Sequence, residues 1–238
     1  MNAARWLILA CCAVDPAVAY RLGGLNLWFV TLGGYLVAAG LAAWLLHQDD
    51  QLKSATLPRA GDFALGIGAA ALLYVPTLLL LRHWVAPDPL LQVCGPRGVW
   101  IPRPDAHGLT AVAEQIRDAA CAGFARSSAM RGPSRGALIL IIACAEEFAW
   151  RGGVQQLLAE RFGSSRGWIL AAALYAIAQL GTGNFVIALL AFAGGLLWGA
   201  LYRYRGRLAP AVFSHCAFSW FFFYNTQLFA LRQDGLGG

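Results

Sequence analysis

The sequence predicts an all-α fold, a polytopic membrane helical bundle of about 6–8 transmembrane helices. Three observations carry that expectation. The chain of 238 residues is 59% hydrophobic and only 13% charged, with a mean hydropathy of +0.58, outside the range of soluble globular domains. Several apolar windows reach the ~20 residues that a bilayer span requires. Polar and proline-rich stretches fall between those windows.

The first apolar run, Trp6 to Ala19, is interrupted by Asp15 and Pro16. Ala17, Val18 and Ala19 superficially resemble a signal-peptidase site, but the apolar run that follows almost at once favours a retained first span. Further windows run roughly from Leu25 to Leu46, Phe63 to Val85, Ala137 to Leu158 and Leu208 to Leu231. Trp168 to Leu180 and Phe185 to Tyr202 are shorter or broken by glycine. Seven spans result if the first run crosses, and six if it is interfacial. Gly195 and Gly199, with Ala191 one turn earlier, predict close packing of their helix against a neighbour.

The connections are read by composition. Gln48 to Asp62 is a polar loop. The long connection 86–135 opens with Pro87, Pro89, Pro96, Pro102 and Pro104, which prevent regular helix. From His107 to Arg126, apolar residues recur at helical spacing, and an amphipathic surface helix and a solvated connector helix fit equally well. With no internal repeat, residues 1–238 read as one membrane domain, in which 137–231 would be the catalytic helices.

The net charge of +6 comes from 17 arginines and one lysine, and in a membrane protein it is explained by topology and lipid headgroups rather than nucleic acid. Arg161, Arg166, Arg203, Arg205 and Arg207 fall in two short loops on one side, which favours that side as cytoplasmic, although six arginines in 86–135 oppose it. The arginine bias suggests a GC-rich bacterial genome, and with it the bacterial inner membrane. The six cysteines show no CxxC or zinc-finger spacing and read as small packing residues.

Against this apolar background, AEEFAWRG places Glu146, Glu147 and Arg151 inside one window. A charged side chain near the centre of a membrane helix costs about 2.5–3.5 kcal/mol, so function is the default explanation. Glu147 and Arg151 are four apart on one helix face, where they can pair. Glu146 lies about 100° round the helix and is left facing something else. Burial disfavours the charged form of an unpaired carboxylate, which suits such a group to general-base work. His215 and Ser219 in the last window, and Tyr175 and Gln179 in the window before Phe185, are again four apart. Three helices thus each carry a polar face, and convergence is the economical reading.

EExxxR, then aromatic-xxx-polar, then Hxxx-polar, over roughly Ala137 to Tyr224, resemble the CAAX-prenyl endopeptidase and bacteriocin-processing (CPBP) family of glutamic-type intramembrane proteases. The resemblance implies that Glu146 activates water, that Glu147 and Arg151 organise the site, and that His215 and Ser219 stabilise the oxyanion. It implies no cofactor and no metal, a membrane-anchored protein or peptide as substrate, and, in some bacterial branches, processing of C-terminal sorting tails. Two positions depart from the family pattern: Gln179 stands where FxxxH has its histidine, and Ser219 where HxxxN or HxxxD has its last residue. Gln179 can orient a water but cannot take its proton.

Four other readings compete. A non-catalytic scaffold, chaperone or immunity protein is suggested by Gln179. A metalloprotease would use Glu146, Glu147 and His215, but HExxH is missing. A thiol protease would pair Cys144 or Cys216 with His215, and both cysteines point away from Glu146 or His215 on the helical wheel. A proton-coupled transporter would show an inverted repeat, and none is visible.

Overall fold

The computed structural model describes residues 3–22, 24–80 and 133–225, and all secondary structure among them is helical. The expected proline-rich connector, the stretch from His107 to Arg126 and the last part of the final window lie outside the described residues. In chain order the elements are α1 (Ala3–Leu22), α2 (Gly24–Gln48), α3 (Leu52–Thr56), α4 (Asp62–Leu80) and α5 (Pro133–Glu147). They continue with a π-helix (Phe148–Gln155), α6 (Gln156–Phe162), α7 (Ser164–Leu180), α8 (Phe185–Arg205), α9 (Ala209–Ser219) and a terminal π turn (Trp220–Asn225).

Four of these helices are long and apolar enough to cross a bilayer: Ala3–Leu22, Asn26–Gln48, Asp62–Leu79 and Phe185–Arg205. The chain is a membrane protein. Its first apolar run is therefore one of the span-length helices, continuing straight through Asp15 and Pro16. α5, the π-helix and α6 follow one another without a break from Pro133 to Phe162, and the acidic pair lies half-way along that rod.

Contacts between loops show which helix ends lie together. Arg203 donates to Ser164 Oγ at 3.1 Å and to Ser165 Oγ at 2.8 Å, which joins the two arginine-bearing loops. Arg5 pairs with Glu160 at 3.0 Å, and Asp62 receives Arg205 and Arg207, so the starts of α1 and α4 are at the same end. At the other end Asn184 caps α8, its side-chain oxygen accepting from the backbone N–H of Val186 and Ile187, while its Nδ2 donates to Tyr20 at 3.4 Å.

The middle of the bundle is the π-helix, which packs on α1, α2, α6, α7 and α8. Small residues make the tight crossings. A Cβ on Gly195 would lie 3.0 Å from the Ala172 backbone, and one on Gly199 would overlap Trp168 and Gln155, so the two glycines seat α8 against α7 as their spacing predicts. The bare backbone is used directly: Gln155 Nε2 donates to the Gly199 carbonyl at 3.0 Å, and Trp168 Nε1 to the Leu196 carbonyl at 2.8 Å.

Candidate active site

Helix α5 ends on the two glutamates, and the chain then widens into eight residues of π-helix holding Trp150, Arg151, Gly152 and Gly153. π-helical turns are rare and are frequently found at functional sites. The i→i+4 pairing read from α-helical spacing survives the wider turn: Arg151 Nη1 donates to Glu147 Oε1 at 3.0 Å, with both side chains buried.

Helix α9 delivers the imidazole between the carboxylates. His215 Nδ1 lies 2.8 Å from Glu147 Oε1 and Nε2 lies 3.4 Å from Glu146 Oε2. An ionised carboxylate only accepts, so the short contact assigns a proton to Nδ1. On the other side Nε2 faces Glu146 Oε2, placed to exchange a proton with that carboxylate. Arg151 neutralises one of the two buried carboxylates.

Glu146 is not left unpaired, contrary to the expectation from one helix alone. Its Oε2 also accepts from Tyr175 OH at 3.0 Å, because the aromatic-xxx-polar face of α7 turns towards α5. The ring of Trp198 on α8 stacks on His215 with centroids 3.8 Å apart and 18° between planes, and Trp198 Nε1 donates to Ser214 Oγ at 3.1 Å. The same indole and the Tyr175 ring flank the Arg151 guanidinium at 5.4 and 5.3 Å. Rotation of the charged groups is thereby blocked by aromatic walls.

Gln179 and Ser219 are both buried, and neither side chain hydrogen-bonds to another described residue. They sit one helical turn beyond Tyr175 and His215, each with its polar group unspent. Glu147 Oε2 is likewise buried without a hydrogen-bond partner among the described residues.

Three features escaped the sequence. Trp198 reads as a packing aromatic in the sequence, and Tyr175, singled out there with Gln179, gave no sign of its partner Glu146. Asp15, which seemed an interruption of the first span, is buried against Gly34 of α2, where a Cβ would overlap its carboxyl. The Sγ atoms of Cys144 and Cys216 meet at 3.5 Å across the α5–α9 seam.

Residues 134–221 match the model of the family described as Type II CAAX prenyl endopeptidase Rce1-like. The matched family is one of proteases, and its segment holds all six residues singled out above, from Glu146 to Ser219. No curated protein and no solved structure matches the chain.

Proposed function

We propose that the Rce1-like segment, residues 134–221, makes this chain an intramembrane endopeptidase that hydrolyses a peptide bond of a membrane-associated protein. The observation that carries the reading is the buried Glu146 carboxylate, braced by Tyr175 OH at 3.0 Å and facing His215 Nε2 at 3.4 Å. Glu146 removes a proton from water as the hydroxide attacks the scissile carbonyl. His215 exchanges that proton with Glu146, and as an imidazolium it places positive charge beside the developing oxyanion. Ser219 donates a hydrogen bond to the same oxyanion, and Gln179 orients the water. The proton returns to the leaving amine as the tetrahedral intermediate collapses, which yields a free carboxylate and a free amine.

Glu147 and Arg151 do not react in this scheme. They hold the Nδ1 tautomer of His215 so that Nε2 faces Glu146, an orienting task like that of the acid in other catalytic triads. The protein is a multi-pass component of a bacterial inner membrane in this reading, a single domain with its arginine-rich end in the cytoplasm. C-terminal sorting tails of membrane-anchored proteins are the substrate class that the family resemblance suggests.

Terminal peptides of membrane and surface proteins, compared in source cells carrying wild type or Glu146→Gln at matched expression, test the proposal. A defined set of proteins retaining an extra terminal segment in the mutant is the expected result. Identical profiles, under conditions where deletion of the whole protein has a phenotype, would contradict it and favour a scaffold.

A further inference from the structure

The six residues of the proposed chemistry leave one reactive pair unused. Cys144 on α5 and Cys216 on α9 have their sulfur atoms 3.5 Å apart, and Cys216 Sγ also approaches the Leu140 carbonyl at 3.7 Å. Both are free thiols and half-buried. Their neighbours show which way they face: Ile141, one turn before Cys144, is exposed, and Val212, Phe213, Ala217 and Trp220 around Cys216 are half-exposed. Glu146 and His215, by contrast, point into the bundle and are buried. The seam between α5 and α9 thus has a buried side that bears Glu146 and His215 and a half-exposed side that bears the thiols.

We infer that Cys144 and Cys216 form an oxidisable dithiol site, closed into a cross-helix disulfide by a lipid-phase hydroperoxide. The reaction balances with the peroxide as its only co-reactant. One thiolate attacks the terminal oxygen of the hydroperoxide, whose O–O bond breaks, and the alcohol leaves with the thiol's proton. The resulting sulfenic acid is attacked by the second thiol, and water departs. Two thiols and one hydroperoxide give one disulfide, one alcohol and one water.

A consequence for the proposed chemistry follows, and it rests on the peptidase reading. A disulfide holds its sulfurs at about 2.05 Å, so the pair must draw together by about 1.5 Å from its 3.5 Å separation. Cys144 is two residues before Glu146 and Cys216 is next to His215, so the closure displaces both partners of the 3.4 Å Glu146–His215 contact. A misplacement on the order of 1 Å in a catalytic constellation costs roughly 100-fold in rate. Oxidation is therefore expected to switch the site off, and thiol reduction to restore it.

The test uses purified full-length protein in lipid nanodiscs, treated with cumene hydroperoxide, which partitions into the bilayer. Peptide mapping by mass spectrometry is expected to find Cys144 joined to Cys216, and dithiothreitol to reverse the link. Absence of that linkage, or a disulfide only between other cysteines, overturns the inference on wild-type protein alone, with no need for a variant to fold. Cleavage of an identified substrate is read in parallel. Wild type is expected to lose about 100-fold on oxidation, while Cys144→Ala keeps its reduced-state rate in peroxide. A mapped Cys144–Cys216 link in a protein that never cleaves anything would contradict the peptidase reading and leave the dithiol site standing. An oxidised, linked protein that cleaves at the full rate would overturn the switch.

Discussion

Asp62, at the arginine-rich end, accepts five hydrogen bonds through its two oxygens: two from Arg205, two from Arg207 and one from the Arg59 backbone N–H, all between 2.8 and 3.1 Å. Glu147, half-way through the bundle, is just as buried, but both of its partners, Arg151 and His215, share Oε1, and Oε2 has no hydrogen-bond partner among the described residues. Glu146 is held by one phenol and one imidazole. The knot around Asp62 uses every strong acceptor direction, as expected of a group whose task is to tie α4 to the α8–α9 turn. The central cluster keeps acceptor capacity in reserve. Spare acceptors in a buried site are costly unless a donor occupies them, and a water is the donor that the proposed reaction would bring there.

The largest expected effect that separates the two sites is Glu146→Gln, which should lower the cleavage rate by about 10²–10⁴-fold while leaving the melting temperature equal to or above that of wild type. Removing one charge from a buried, incompletely satisfied cluster does not by itself weaken the fold. Asp62→Asn should do the reverse. It strands two guanidinium groups, one of them solvated in part, and should cost about 2–3 kcal/mol in a thermal unfolding experiment, while the folded fraction cleaves normally. If Asp62→Asn instead abolished cleavage at unchanged stability, the contrast between the two acids would fail.

Smaller effects are expected from substitutions that remove a single partner of either acid. Tyr175→Phe deletes the hydroxyl that braces Glu146, so turnover should fall roughly 10–100-fold, and the lost hydrogen bond to a charged group should cost up to about 1.5–3 kcal/mol of stability. Arg205→Lys leaves Asp62 its Arg207 partner and removes only the planar fork of a partly exposed side chain, so a stability loss of at most about 1 kcal/mol is expected.

Much of the fold was legible because run length and composition are direct readouts of a bilayer's thickness. α2, α4 and α8 fall within a few residues of the predicted windows, and the glycine pair on α8 marked a close crossing. The arginine loops marked one end of the bundle, which Arg203 with Ser164 and Asp62 with Arg207 tie together. The π-helix left no periodic signature, because an i→i+5 stretch eight residues long changes the face of each side chain without changing its type.

Within the site, i,i+4 spacing captured Glu147 with Arg151, the one contact made inside a single helix. Glu146 with Tyr175, His215 with both glutamates, and Cys144 with Cys216 are contacts between helices, and helical spacing cannot fix which faces of two helices meet. Asp15 looked like a break because a charge in an apolar run usually ends it. Gly34, on the neighbouring helix, provides the space that lets it stay.

The most direct measurement is the turnover of purified protein in proteoliposomes, with the substrate whose terminus changes in Glu146→Gln cells, for wild type and Glu146→Gln alongside their melting curves. The Glu146→Gln protein is expected to melt no lower than wild type and to cleave at least about 100-fold more slowly. Cleavage by that variant at the wild-type rate would contradict this expectation.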